Sequence, residues 1–255
     1  MTAPAAVTVG DWLRQYAPAN PGAPTLVVFP HAGGAAGYFA PLAKALAPAV
    51  RVLAVQYPGR LERRAEPAVP DLRELARQAV RELTKSQIDA SIVYFGHSMG
   101  ALVAFEATLI GERGDGPAPE ALVVSGGRAP AQTRVDPALL HSDHALVEEV
   151  VRLGGTTRQV LQDEDLRALV LPALRADYRA LGGYRVDPGA RVGCPIAVLV
   201  GDRDPLVTVA QARLWQNHAA GAFSCRVFPG DHFYLTPRLP DVVDSLRSVI
   251  VPQRG

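Results

Sequence analysis

Residues 91–105 read SIVYFGHSMGALVAF, and this stretch decides the fold. It opens with a β-branched and aromatic run typical of a buried strand and closes with a run too apolar for a surface helix. The pattern G-x-S-x-G lies between them, where a strand passes directly into a helix. Such a turn strains Ser98, and Gly96 and Gly100 remove side chains that would collide there. The stretch therefore predicts a strand–turn–helix unit that exposes the Ser98 hydroxyl at the carboxyl edge of a sheet.

Short β-branched runs alternate with longer helical patterns along most of the chain, which indicates a mostly parallel sheet with helices on its faces. We expect one α/β domain over residues 1–255. The predicted strands cover residues 25–29, 51–56, 91–95, 121–125, 196–200 and 225–228. The predicted helices cover residues 38–46, 71–83, 100–111, 208–220 and 239–251.

The alternation breaks once, within a segment at approximately 131–190, where helical patterns replace the next expected strand. Ser142 is suited to cap a first helix, which we expect to end at Gly154 and Gly155. This segment is the predicted insertion.

A second helix of the insertion is expected to begin after Asp163, to bend at Pro172 and to stop at Gly182 and Gly183. Its apolar side comprises Leu166, Val170, Leu174 and Leu181. Two such helices would form a lid over an apolar cleft. The alternative is a helical pair that only stabilises the sheet edge.

Ser98 needs partners, because a serine hydroxyl is too weakly acidic to attack a carbonyl without a base and a group that orients the base. After a strand–turn–helix nucleophile, the acid and then the histidine follow on loops after later strands. His232 follows the last predicted strand and is the predicted base. Asp204 is the predicted acid, since Asp202 directly follows its strand and is suited to capping the turn. Asp231 is also expected to be a turn residue.

The other histidines have less demanding interpretations. The side chain of His97 is expected to point away across the turn and to pack. His141 and His144 share a helical face but lack a third ligand, so we expect solvated lid residues rather than a metal site. His218 lies late in a predicted helix and needs no catalytic role.

The tetrahedral intermediate of acyl transfer needs hydrogen-bond donors already in place. One is predicted to be the backbone N–H of Met99, directly after the nucleophile. The other is predicted to be the N–H of Ala32, where Gly33 and Gly34 let the backbone approach a ligand closely. A phosphate-binding role for this loop is disfavoured, because G-x-x-x-x-G-K-[ST] is missing.

Composition restricts the class of protein further. The chain has 255 residues, 48% hydrophobic and 20% charged, with a formal net charge of +1. The low net charge argues against nucleic acid as a partner. No signal peptide or membrane span is apparent, so we expect a cytoplasmic protein. Its two cysteines, Cys194 and Cys225, cannot complete a four-ligand zinc site, and we expect reduced core residues.

Seven motifs make the chain resemble a known family. They are FPHAGG at 29–34, QYPGR at 56–60, GHSMG at 96–100, SGGRAP at 125–130, LPALRADYRALGGY at 171–184, GDRDP at 201–205 and GDHFYL at 230–235. With them the chain resembles the α/β-hydrolase superfamily and, more closely, the stand-alone type II thioesterases of polyketide synthases and nonribosomal peptide synthetases. The resemblance implies an α/β-hydrolase fold with a helical lid. It also implies a catalytic triad of Ser98, Asp204 and His232.

The family removes stalled or unwanted acyl groups from the phosphopantetheine thiol of carrier proteins. The resemblance therefore implies hydrolysis through a serine acyl-enzyme, with an acyl or peptidyl carrier protein as partner and with no metal or organic cofactor. We expect a monomer. One alternative is a carboxylester hydrolase, cyclase or acyltransferase with the same triad. A more remote one is a non-catalytic hydrolase-fold binding protein.

Three arginines cluster after QYPG, namely Arg60, Arg63 and Arg64. Carrier proteins are usually acidic, so the cluster is a candidate docking patch. A solvated charged loop explains the same residues, and we favour that interpretation.

Overall fold

The structure is a computed structural model that describes residues 6–154 and 163–251. Its strands are β1 (Val7–Val9), β2 (Leu13–Gln15), β3 (Thr25–Phe29), β4 (Arg51–Val55), β5 (Ile92–His97), β6 (Ala121–Ser125), β7 (Ile196–Gly201) and β8 (Phe223–Phe228). They form one sheet in the order β1-β2-β4-β3-β5-β6-β7-β8. The pairs β1–β2 and β2–β4 are antiparallel, and the others are parallel. The predicted mostly parallel sheet is confirmed.

Helices cover both faces of this sheet. They are α1 (Ala40–Leu46), α2 (Leu72–Lys85), α3 (Met99–Glu112), α4 (Ala138–His141), α5 (Asp143–Leu153), α6 (Glu164–Gly183), α7 (Val209–Arg213) and α8 (Leu239–Ile250). Short 3₁₀ helices cover Ala36–Phe39, Leu61–Arg63, Pro130–Gln132 and Leu214–His218. Helices α2 and α3 pack in one core layer, and α1 and α8 pack in the other. The strand side chains alternate between these layers, as the pleat of a strand requires.

The fold departs from the predicted one at β1 and β2 and in the helix predicted over 208–220. The strands β1 and β2 were not predicted, because each has only three residues and β1 is largely exposed, so neither shows a buried apolar run. The helix predicted over 208–220 is also wrong in its second half, where α7 gives way to the 3₁₀ helix Leu214–His218. Trp215 is fully buried there and donates from Nε1 to the Gly127 carbonyl at 2.8 Å. This tertiary contact accompanies the change of helix type.

The segment between β6 and β7 contains α4, α5 and α6. Ser142 caps α5, and Gly154 ends it in the left-handed region at φ 81°. Gly155 lies outside the described residues. Asp163 caps α6, which continues through Pro172 and ends at Gly183.

These helices have a small apolar core of their own, formed by Leu146, Leu171, Leu174 and Tyr178. Leu166 was expected on the packed side of α6, but it is 41% exposed. This expectation is wrong because burial of α6 begins only at Leu171. The boundaries of the insertion and its role as a lid stay predictions.

Candidate active site

The turn between β5 and α3 places Ser98 in a strained backbone conformation, with φ 55° and ψ −118°. A Cβ atom on Gly96 would lie 2.1 Å from the carbonyl oxygen of Gly100. A Cβ atom on Gly100 would lie 1.9 Å from the carbonyl oxygen of Phe29. Both glycines are therefore required by close backbone approach, as the sequence suggested. Positive φ at a non-glycine residue costs about 1–3 kcal/mol and is concentrated at functional sites.

His232 and Asp204 form a buried pair behind the turn. The Nδ1 atom of His232 lies 2.8 Å from Oδ2 of Asp204, and the two side chains are 1% and 0% exposed. The other carboxylate oxygen, Oδ1, accepts hydrogen bonds from the N–H groups of Leu206 at 2.8 Å and Val207 at 3.1 Å. The carboxylate is thus fixed by its own loop and directed at the imidazole. Ser98 and His232 line the same cavity.

The two residues whose N–H groups are the predicted oxyanion donors line this cavity together with Ser98. Met99 is the first residue of α3, so its N–H is one of the helix-terminal donors without an intrahelical acceptor. Ala32 and Met99 both line the cavity. The loop that carries Ala32 is held by the hydrogen bond from Gly34 N to His31 O at 2.9 Å. It is also held by the bond from Gly33 N to Asp177 Oδ2 at 2.7 Å.

The cavity has a volume of about 510 Å³ and lies between the sheet and the insertion. Its apolar lining comes from both parts and includes Met99, Leu102, Leu139, Val150, Leu153, Val170, Leu174, Leu181 and Leu206. The charged side chains of Arg128, Arg134, Asp136, Glu149 and Arg152 also reach it. A mainly apolar concave site with a few polar groups suits a hydrocarbon chain that ends in a polar reacting group.

Two further histidine rings lie near His232, one beside it and one beyond that. The ring of His97 is centred 5.0 Å from that of His232, and the ring of His31 lies 5.7 Å from that of His97. Burial, with smaller electrostatic contributions from the neighbouring His232 and Arg60, lowers the pKa of His31 to about 3. Burial also holds the pKa of His97 well below its usual value. Both rings are therefore neutral near pH 7, so they add no positive charge beside His232.

His97 packs in the interior, as expected, but not away from the site. Its Nδ1 lies 3.0 Å from the hydroxyl of Ser125, which lies 2.7 Å from the hydroxyl of Tyr234. Sequence reasoning missed the contact between the rings of His97 and His232, because it depends on the packing of two loops that are far apart in the chain.

The remaining candidates occupy structural positions. Asp202 Oδ1 accepts from Gly230 N at 2.8 Å, and Asp231 Oδ1 accepts from Phe233 N at 3.0 Å. Asp231 therefore stabilises its own turn, whereas Asp202 joins its loop to the loop that carries Gly230.

The other histidines and the cysteines have no contact with this arrangement that the structure records. His141 and His144 are exposed on the insertion, and His218 is buried with its Nδ1 2.8 Å from the carbonyl of Ala190. Cys194 and Cys225 are free thiols. Over residues 6–154 and 163–251, no group of three or more His, Cys, Asp or Glu side chains is arranged to hold a metal ion. No helix in the same ranges is long and apolar enough to cross a membrane.

The arginine cluster requires a correction. Arg60 is only 4% exposed and forms two contacts with Asp177, and Arg63 is 7% exposed and pairs with Glu66. Both interpretations, a docking patch and a solvated loop, are wrong for these two residues, because both guanidinium groups are buried and paired with carboxylates of the same chain. Arg64 alone of the three is exposed.

Sequence reasoning also missed Asp177, the fully buried partner of Arg60. A signal was present. Asp177 follows Leu174 by three residues and precedes Leu181 by four, so it lies on the apolar side of α6. A carboxylate on a buried helix face needs a cationic partner, and the cluster after QYPG contained it.

Comparison with known proteins decides the family. The thioesterase domain family matches residues 24–250, which include every site residue described above. The chain belongs to the thioesterase family. This thioesterase is 43% identical over 249 residues to the probable cadicidin biosynthesis thioesterase of Streptomyces griseus, covering 97% of this chain and 68% of that protein. It is 41% identical over 254 residues to thioesterase PikA5 of Streptomyces venezuelae, covering 99% and 90% of the two chains.

A solved structure supports the same assignment. The type II thioesterase BorB from the borrelidin biosynthetic cluster superimposes on this thioesterase with a TM-score of 0.87 at 44% identity, covering 96% of this chain and 99% of that one. The predicted α/β-hydrolase fold and the predicted enzyme class, a thioester hydrolase, are confirmed. The roles of the individual residues stay predictions.

Proposed function

We propose that this thioesterase removes stalled or aberrant acyl groups from the phosphopantetheine thiol of carrier proteins in a polyketide synthase or nonribosomal peptide synthetase. The observation that carries the proposal is the buried His232–Asp204 pair, whose histidine lines an apolar cavity together with Ser98 in a thioesterase-family chain. The relatives named for cadicidin and borrelidin biosynthesis support the carrier-bound substrate. The proposal includes a monomeric protein in the cytoplasm.

In the acylation step, His232 accepts the Ser98 proton while the serine oxygen attacks the thioester carbonyl. The negative charge that develops on the carbonyl oxygen is stabilised by the N–H groups of Ala32 and Met99. The intermediate collapses by breaking the carbon–sulfur bond, and the leaving thiolate takes the proton from His232. Asp204 holds the imidazole in the tautomer that has Nε2 free for this exchange.

Deacylation repeats these events with water as the nucleophile. His232 takes a proton from water, the resulting hydroxide attacks the acyl-serine, and the serine oxygen leaves with the proton from His232. The products are a carboxylic acid and a carrier protein with a free thiol. The apolar lining contributed by α4, α5 and α6 surrounds the acyl chain during both steps.

The test is incubation of the purified protein with a panel of acylated carrier proteins, followed by intact-mass analysis. We expect loss of the acyl mass and recovery of the free-thiol carrier. Ser98→Ala should abolish turnover, and Ser248→Ala, a change at an exposed serine on α8, should retain it. Turnover by Ser98→Ala would reject the nucleophile.

Matched oxygen esters test the substrate class. Hydrolysis of oxygen esters without cleavage of any acyl-carrier thioester would reject the carrier-bound substrate.

A further inference from the structure

The fully buried carboxylate of Asp177 connects three parts of the molecule. It lies on α6 and accepts hydrogen bonds from Gly33 N at 2.7 Å and from two guanidinium nitrogens of Arg60 at 3.0 and 2.8 Å. Arg60 in turn donates from Nη1 to the carbonyl oxygen of Gly34 at 2.9 Å. The arginine and the carboxylate therefore hold two of the backbone polar groups that follow Ala32 in the chain, the N–H of Gly33 and the C=O of Gly34.

We propose that Arg60 and Asp177 are positioning residues for the oxyanion hole, holding the loop so that the Ala32 N–H faces the oxygen of the tetrahedral intermediate. The inference rests on the proposed function, because it needs Ala32 as an oxyanion donor. Gly33 has φ +70°, and two successive glycines have many accessible conformations in the absence of a restraint. An oxyanion hole stabilises the transition state only if its donors are already oriented.

The chemistry of the pair suits this role better than a role in stability. A buried ion pair is weak evidence for stability, since removing two charges from water offsets most of their attraction. A carboxylate has enough acceptor sites to bind a backbone N–H and a guanidinium at once, and the planar guanidinium fixes the geometry on both sides. An asparagine at position 177 could still accept from Gly33 N and one Arg60 nitrogen through a single oxygen, but it would lose the second guanidinium contact and leave the buried charge of Arg60 uncompensated.

The surrounding contacts reinforce the same loop. The amide oxygen of Gln56 accepts from Ala36 N at 2.8 Å, and its amide nitrogen lies 3.3 Å from the carbonyl oxygen of Arg60. A Cβ atom on Gly33 would lie 2.9 Å from Cδ1 of Leu174, one turn before Asp177 on α6. Helix α6 therefore lines the acyl cavity and fixes the loop that bears the oxyanion donor.

The decisive variant is Arg60→Met combined with Asp177→Leu, which replaces the buried pair by apolar side chains. Removal of both partners preserves folding better than removal of one. The assay uses a short activated oxygen ester as well as acyl-carrier thioester, so it does not depend on carrier docking. We expect kcat to fall about 100-fold, comparable with loss of one oxyanion donor, and KM to change less than threefold. The pH profile should keep its shape, because His232 and Asp204 are untouched.

Single variants keep the test decisive if the double variant does not fold. Arg60→Lys retains the charge and loses the two-pronged contact, so its kcat should lie between those of the wild type and Asp177→Asn. Asp143→Asn is the control, because it breaks an exposed ion pair between α5 and Arg175 of α6 away from the loop. Its kcat should equal that of the wild type.

A folded double variant with kcat within threefold of the wild type would overturn the proposal. So would folded Arg60→Lys and Asp177→Asn variants with wild-type kcat, or a loss expressed in KM alone. If the wild type cleaves the ester but no acyl-carrier thioester, the proposed function fails while the ester assay still decides the role of the pair.

Discussion

At the scale of single residues, the two oxygens of the Asp204 carboxylate have separate functions. Oδ1 is bound by the N–H groups of Leu206 and Val207, and Oδ2 is bound by the imidazole of His232. The hydrogen bonds from the loop therefore fix the carboxylate in the orientation that directs Oδ2 at His232. This division allows the structural and chemical contributions of one side chain to be measured separately.

Asp204→Asn should retain folding and lose activity. The asparagine oxygen can still accept from the two loop N–H groups, while its NH₂ group faces His232 and favours the wrong imidazole tautomer. We expect kcat for thioester hydrolysis to fall by roughly 10⁴, the effect of the same change in a trypsin-like triad. Asp202→Asn, at the exposed turn contact with Gly230, should stay within a few-fold of the wild type. Equal losses in both variants would contradict the assignment of Asp204.

His31 should make the protein less stable in mild acid. Its pKa is about 3 in the folded state and about 6.5 when unfolded, so between these values the unfolded chain binds more protons. The free energy of unfolding therefore decreases as the pH falls below 6.5. From this residue alone, we expect a decrease of about 2 kcal/mol between pH 7 and pH 5.

Urea denaturation of His31→Gln at the two pH values measures this effect. The variant should show a smaller difference between pH 7 and pH 5 than the wild type. His144→Gln, a change at an exposed histidine, should show the full difference. An unchanged pH dependence in His31→Gln would contradict the neutral buried state.

At the scale of secondary-structure elements, the contact between β5, its turn and α3 determines where the nucleophile lies. The backbone of Gly100 in α3 approaches the carbonyl oxygen of Phe29 at the end of β3. The loop with the predicted oxyanion donor begins directly after Phe29. One close contact therefore brings the serine turn and the oxyanion loop to the same edge of the sheet.

Gly100→Ala should destabilise the protein strongly. Its Cβ atom would lie 1.9 Å from the Phe29 carbonyl oxygen, and backbone atoms cannot move aside as a flexible side chain can. We expect a loss of at least about 3 kcal/mol in the free energy of unfolding, at the upper end for overpacking. Gly183→Ala is the control, because its Cβ atom would meet nothing within 4 Å. Thermal or urea unfolding of Gly100→Ala at the wild-type midpoint would contradict the close approach.

At the scale of the whole molecule, the cavity is lined jointly by the sheet with its helices and by the helices between β6 and β7. Leu102 on α3 lines it from the body, and Val150 on α5 and Val170 on α6 line it from the insertion. The space available to an acyl chain is therefore set by how these helices pack on the body.

Val150→Trp should shorten the acceptable acyl chain. The larger side chain would occupy part of the cavity of about 510 Å³. We expect kcat/KM for octanoyl and longer thioesters to fall at least tenfold, and that for acetyl and propionyl thioesters to change less than threefold. One methylene in an apolar pocket is worth about 1–3 kcal/mol of discrimination, which makes a tenfold change readily attainable.

Leu169→Trp is the matched control for this change. Leu169 lies on α6 but is 55% exposed and does not line the cavity, so its variant should keep the wild-type chain-length profile. A parallel loss for short and long chains in Val150→Trp would contradict a role in chain-length selection.

Much of the fold and the candidate site could be predicted from local pattern. The strand run before Gly96, the apolar run after Gly100, and Asp204 and His232 on loops after later strands all rest on residues close in the chain. Local free energies, such as strand propensity, glycine conformational freedom and capping, depend on near neighbours and so leave a local signal. The edge strands β1 and β2 left none, because their pairing is supplied by the rest of the sheet.

The sequence by itself thus determined the six strands β3 to β8 in their chain order, the longer helices between them and the serine turn, and it predicted the chain order of serine, acid and histidine. Only the tertiary structure decided which charges are buried and which partners they have. Arg60 and Asp177 lie 117 positions apart, and Gly33 and Asp177 lie 144 apart. The free energy of a buried charge depends on the groups that folding brings around it, and that arrangement has no counterpart among neighbours in the chain.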